Sequence, residues 1–123
     1  MSETNASIYT RWSDIPVEAM NSRIGRQFVV GTHTMLARIV LAEGAHVPLH
    51  SHANEQISHV LSGHLKFVLE GREVVVGPGE ILCIPPHVPH EAFALDDVIE
   101  LDVFNPPRQD WIDRDDAYLR RES

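Results

Sequence analysis

Short apolar runs follow one another along this chain at close spacing: Phe28–Val30, Met35–Leu41, Ile57–Leu61, Leu65–Leu69, Val74–Val76, Ile81–Ile84 and Val98–Phe104. They are rich in Val and Ile, and Gly and Pro punctuate them at Ala42-Glu43-Gly44, Glu70-Gly71-Arg72 and Val76-Gly77-Pro78-Gly79-Glu80. Runs of that length between turn signals predict strands. Only the tail reads differently. Gln109 to Arg121 carries Trp111, Ile112, Ala117, Tyr118 and Leu119 among charges, which predicts one short amphipathic helix packed on the outside. No repeat or linker divides the chain. The pattern therefore predicts a single all-β domain over residues 1–123, a sandwich or double-sheet barrel with its core at about 25–106 and its helix at about 109–121.

Composition narrows the function classes. The chain has 43% apolar and 23% charged residues, an ordinary globular balance. No apolar run approaches the ~20 residues of a membrane helix, and the N-terminal MSETNASIYTRW carries no apolar targeting stretch. A formal charge of −8 argues against a nucleic-acid surface. The single cysteine, Cys83, allows no internal disulfide and suits a reducing cytoplasm; between apolar neighbours it reads as a small buried side chain. Eight histidines are many for this length, and six lie in two stretches, Gly44–Gly63 and Pro85–His90.

The first stretch reads Gly44-x5-His50-Ser51-His52-x3-Gln56-x6-Gly63. On a strand His50 and His52 leave the same face, and Gln56 keeps their parity beyond a turn or kink at Ala53–Asn54. His90 adds a further imidazole. Three neutral nitrogens and an amide oxygen suit one divalent metal, with zinc, nickel, manganese and iron all acceptable. Glu55 competes with Gln56 for the fourth position, since a bulge at Ala53–Asn54 would reverse the parity. With Gln56 the ligand set is neutral and leaves the ion its full charge, which favours polarising a substrate oxygen over stabilising a higher oxidation state.

These motifs resemble the two signatures of the cupin family. The first signature, Gly-x5-His-x-His-x3–4-Glu-x6-Gly, is kept at every spacing, with Gln56 at the glutamate position. The second, Gly-x5-Pro-x-Gly-x2-His-x3-Asn, is matched by Gly79, Pro85 and His90, while His87 and Ala94 replace its Gly and Asn. The resemblance implies a double-stranded β-helix (a jelly-roll barrel), the metal ligands His50, His52, Gln56 and His90, and pairing into a homodimer. The stretch His50–Gly63, together with Asp102-Val-Phe104-Asn-Pro-Pro-Arg108-Gln-Asp-Trp-Ile112, further resembles the KdgF group of small cupins. That group converts 4,5-unsaturated uronate monosaccharides from pectin and alginate to linear keto sugars.

The resemblance implies roles that the pattern alone leaves open. Glu100, Asp102 and Phe104 share one strand face, either solvent-exposed or lining the cavity; the resemblance makes Asp102 the proton carrier and Phe104 a cavity wall. Arg108 reads either as a surface partner of Asp110 or Asp113, or as a bidentate clamp on a substrate carboxylate. His46 and His87 are candidates for the barrel mouth, His59 for the exterior, and Arg26, Arg38 and Lys66 for charge of undecided facing. The expectation is thus a metal-dependent isomerase or lyase acting on a small anionic sugar, with no nucleic-acid or membrane partner. A cupin dioxygenase acting on a small enol or diketone and a non-catalytic sugar-acid binder are the rival readings.

Overall fold

The computed structural model describes residues 6–122; residues 1–5, the start of the polar N-terminal stretch, and Ser123 lie outside them. Ten strands form two antiparallel sheets: β1 (Glu18–Asn21), β2 (Ile24–Val30), β3 (Met35–Leu41), β4 (His46–His50), β5 (Glu55–Ser62), β6 (Leu65–Leu69), β7 (Arg72–Val76), β8 (Ile81–Ile84), β9 (His90–Ala94) and β10 (Val98–Asn105). The larger sheet runs β1-β2-β3-β10-β5-β8, and the smaller one β4-β9-β6-β7. This is a jelly-roll barrel. Strands β1, β4 and β9 fall outside the apolar runs read from sequence, because each is short and carries polar or histidine residues.

Period-two alternation makes the interior a ladder of rungs. Across the larger sheet the inward residues are Ile24, Leu41 and Val98 at one end, followed by Arg26, Ile39, Glu100 and Val60. The next rung holds Phe28, Ala37, Asp102 and Ser58, and the last Val30, Met35, Phe104 and Gln56. Successive rungs are ~7 Å apart along a strand. One end of the barrel is thus apolar, closed by Leu65, Val76 and Ala94 of the smaller sheet, and the other end carries the chemistry. A tight turn before β6 needs Gly63. Its φ is +80°, and a Cβ there would stand 2.0 Å from the Asp97 carbonyl oxygen. Cys83 is exposed on the edge strand β8, because Ile57 and Cys83 pair on the outer side of the sheet, contrary to its reading as a buried side chain.

The tail is two one-turn helices, α1 (Gln109–Ile112) and α2 (Ala117–Arg120), instead of one helix over 109–121. Arg114 turns left-handed at φ +60°, and the Arg114 and Asp115 amides close back onto the carbonyls of Trp111 and Asp110. The break lets Asp116 enter the interior, where it accepts hydrogen bonds from Arg26 Nη1 at 2.7 Å and Arg120 Nε at 2.8 Å. Glu18 accepts from Arg26 Nη2 and Arg120 Nη2, each at 2.8 Å, and pairs with Arg114 at 2.9 Å. The tail is therefore tied by charge across β1 and β2, and Trp111 and Leu119 are buried in the core while Ile112 stays exposed.

Asp116 and Arg26 are both shut off from solvent, so removing one partner strands the other. Asp116→Ala should cost about 3–5 kcal/mol in urea unfolding; a loss below about 1 kcal/mol would mean the pair does not hold the tail. Although burial raises the Glu18 carboxyl, its bonds to Arg120 and Arg26 win and bring it from an ordinary 4.5 down to about 2. Its contribution should be complete above about pH 4.5 and vanish as the pH falls toward 2. Glu18→Gln should flatten that acid limb of the stability profile.

Candidate metal centre and acid pair

The ligand candidates come from both sheets. His50 ends β4 and pairs with His90, the first residue of β9; Gln56 lies near the start of β5. His52 sits just past β4 in the connecting loop, not on the strand itself. Ligand nitrogens of His50, His52 and His90 lie within 4.8 Å of one another. Glu55 is exposed while Gln56 is buried, so the amide is the side chain that faces the histidines.

Hydrogen bonding fixes which nitrogen each ring presents. His50 Nδ1 donates to the Pro48 carbonyl at 2.8 Å, His90 Nδ1 to Val88 at 2.9 Å and His52 Nδ1 to Asn54 at 3.0 Å. A carbonyl only accepts, so each Nδ1 carries the proton and each Nε2 offers its lone pair. The His90 Nε2 is buried without a partner. His52 Nε2 stands 3.1 Å from Gln56 Oε1, two acceptors with no hydrogen between them. Such a set fits a divalent cation, and the residues that would hold one are His50, His52, His90 and Gln56.

The rings are neutral well into acid. Burial, then the neighbouring His90, brings His50 down to about 3. Burial and the Arg108 charge bring His52 down to about 4. Burial lowers His90 as well.

The same cavity, about 510 Å³ with its mouth included, holds Arg26, Glu100, Asp102, Phe104, Arg108 and Tyr118. Gln56 Nε2 donates to Ser58 Oγ at 2.9 Å, and Ser58 donates to Asp102 Oδ1 at 2.7 Å. One line of hydrogen bonds thus runs from Gln56, the amide that faces the imidazoles, to a buried carboxylate. Asp102 in turn is hydrogen-bonded to Glu100. Burial and the Asp102 charge push Glu100 well above the usual carboxylate range. Burial raises Asp102 too, but the bonds from Glu100 and Ser58 and the charge of Arg108 oppose it. Both carboxyls are thus pushed up by burial, and Glu100, which has no opposing bond or charge, holds a proton the more tightly of the two.

Arg108 is buried and does two things at once. Its Nε and Nη2 bond Asp110 at 3.0 and 2.8 Å, and Nη2 also reaches the Tyr118 hydroxyl at 2.7 Å. The reading as a partner of Asp110 and the placement in the cavity thus hold together. Its guanidinium lies 5.0 Å from the centre of the Phe104 ring and 4.7 Å from that of Trp111. Phe104 meets His52 and Trp111 edge-on, so it walls the histidine end.

Tyr118 packs on His50 at 4.6 Å. It was not legible as a site residue, because the tail reads as outer packing. Ser58 was legible in principle through its parity with Gln56. His46 instead pairs with Glu91 at 2.6 Å and stacks on Phe93 outside the cavity. Lys66 also lies over Phe93, and Arg38 donates to Gln27. His87, at the glycine position of the second motif, takes φ +69°, the left-handed conformation a glycine would adopt freely. Its amide bonds the His52 carbonyl at 2.8 Å and ties the two motif loops together.

The cupin domain family model matches residues 37–104. No curated protein matches the chain by sequence. The structure of KdgF from Halomonas sp. superimposes with a TM-score of 0.81 at 26% identity, over 86% of this chain and 99% of that one. An RmlC-like cupin from Shewanella frigidimarina gives 0.80 at 26% identity, over 86% and 96%. A predicted oxalate decarboxylase from Thermotoga maritima gives 0.72 at 20% identity, over 81% and 100%, a likeness of fold.

Divalent-metal affinity should respond to the three rings in an unusual pH window. Because His50 and His52 are neutral down to about 3 and 4, zinc binding should be nearly flat from pH 7 to 5. Ordinary histidines near 6.5 would already compete for protons there. Calorimetric titration checks this. A tenfold loss per unit between pH 6.5 and 5.5, or a His90→Ala variant that binds as well as wild type, would refute the site.

Proposed function

The chain belongs to the cupin domain family, and from that premise we propose that it is a metal-dependent enzyme that opens and tautomerises 4,5-unsaturated uronate monosaccharides to linear keto sugars. One observation carries the reading: a buried carboxyl pair, an arginine and a neutral histidine cluster that could hold a cation converge on one cavity. The similarity to KdgF from Halomonas sp. supports it.

The reaction is an isomerisation, so no atom or electron is gained or lost. The anomeric hydroxyl gives up its proton, the ring C–O bond breaks to leave an aldehyde and an enol, and a proton then reaches the alkene carbon to give the ketone. A divalent metal held by His50, His52, His90 and Gln56 would supply Lewis acidity toward a substrate oxygen. Asp102 is suited to carry the proton, since burial makes it a stronger base than an exposed carboxylate and Ser58 holds it in one orientation. Arg108 engages Asp110 and Tyr118 through Nε and Nη2, which leaves the Nη1 side for the substrate carboxylate. Phe104 and Trp111 keep water from its flank.

With purified protein and 4,5-unsaturated galacturonate, the absorbance of the conjugated alkene should disappear faster than in buffer. Asp102→Asn should lower kcat by roughly 10²–10⁴-fold and His50→Ala should abolish turnover, while Arg108→Ala should act mainly on KM. Equal rates for wild type and Asp102→Asn would sink the mechanism. Oxygen uptake during turnover would replace it with oxidative chemistry.

A further inference from the structure

Away from the histidines, two buried side chains keep a polar atom with no protein partner. Arg26 is 2% exposed; Nη1 and Nη2 donate to Asp116 and Glu18, but Nε meets no acceptor. Glu100 is 6% exposed and hydrogen-bonded to Asp102, yet its Oε1 has no partner. Both residues line the cavity. Arg26 and Glu100 both pair with Ile39, one on each side, so strand register puts them on one rung with Ile39 between them. Their backbones are therefore two strand spacings apart, about 10 Å, and both side chains line the cavity from that rung. Along β10 this rung lies beyond Asp102 as seen from the Gln56 rung.

The two atoms are of opposite kind. A guanidinium Nε–H only donates. Glu100 Oε1 accepts whether the carboxyl is ionised or shares a proton with Asp102 through its other oxygen. A ligand anion here would be repelled by Oε1 and an ammonium by Arg26. A hydroxyl satisfies both, accepting from Nε and donating to Oε1. Buried polar atoms left in this state cost stability unless something meets them.

We propose that Arg26 Nε and Glu100 Oε1 form a hydroxyl-binding subsite for the end of the ligand farthest from the histidines. The cavity thereby selects polyhydroxy acids over acids whose far end is apolar. This deepens the sugar-acid reading above and rests on it, but it requires binding only, not turnover.

Two unreactive probes of similar size test it by calorimetry: D-galacturonate, and cyclohexanecarboxylate, which keeps the carboxylate and lacks hydroxyls. The wild-type protein should prefer galacturonate at least tenfold. Glu100→Met should weaken galacturonate about tenfold and leave cyclohexanecarboxylate within twofold. Glu100→Gln keeps a carbonyl oxygen and should stay within threefold of wild type for both. Equal weakening of the two probes by Glu100→Met overturns the subsite, as does a Glu100→Gln loss as large as that of Glu100→Met. Should Glu100→Met fail to fold, a wild-type protein without preference between the probes overturns it alone. Discrimination without turnover of unsaturated uronates would sink the proposed reaction and leave the subsite standing; turnover without discrimination would do the reverse.

Discussion

The hydrogen bond from Ser58 to Asp102 is short, fully buried and central to the barrel. It exists because β5 and β10 are neighbours in register, with Ser58 opposite Asp102 on the inner face. The Ser58 hydroxyl proton points at Asp102. Ser58 oxygen is then free to accept from Gln56, and the amide is forced to turn its own oxygen toward His52. One proton's direction therefore decides what the Gln56 side chain presents to the histidine cluster. Were the bond reversed, the amide nitrogen would face that cluster and a cation would be repelled.

A barrel this small cannot hold so many ionisable groups without compensation, and the compensation comes from the tail. Arg26 is neutralised by Glu18 and Asp116, Arg108 by Asp110, and both guanidiniums lie against the Trp111 ring, at 4.6 and 4.7 Å from its centre. Cation–π contact substitutes for part of the lost hydration. The tail is thus wall, counter-charge and closure together. Asn54 extends the same logic to the loops: its carbonyl accepts from His52, and its amide donates to the Pro106 and Pro107 carbonyls just before Arg108. Two segments half the chain apart are fixed to each other through one side chain.

Much of the fold was legible because strands announce themselves by apolar runs and glycine turns, as at Met35–Leu41 and Val98–Asn105. Strands β4 and β9 were not, because their inward positions include His50 and His90, and an inward-facing histidine looks polar to any hydropathy pattern. Parity gave the grouping where strands are regular: Glu100, Asp102 and Phe104 share one face, as their spacing requires, and the structure turns that face inward. The tail defeated the reading for a physical reason. Its period suits one helix, but the Asp116 carboxylate gains more from the buried Arg26 and the half-buried Arg120 than the helix gains from continuing, and helical propensity is weak beside such tertiary contacts. Tyr118 came with it. Nothing local to the tail marks a tyrosine whose partners, His50 and Arg108, are set by the barrel.

The glutamine at the usual glutamate position has a consequence that reaches beyond the charge of the ligand set. A carboxylate there has no hydrogen to donate, so Ser58 would have two acceptors, one on each side, and a single proton to divide between them. Either Asp102 would lose its hydroxyl bond, and its raised affinity for protons would rise further, or residue 56 would lose its anchor and swing freely. An extra negative charge two rungs from Glu100 would also bind protons more tightly to the acid pair. The amide avoids all three effects, because it accepts at one end and donates at the other. Neutral amide, oriented hydroxyl and the Asp102 carboxyl it meets are thus one arrangement, and a Gln56→Glu chain would have to re-solve all of it. Physical coupling of that kind would tie the proposed Lewis-acid chemistry at the histidines to the proposed proton transfer at Asp102 more firmly than either site's residues do alone.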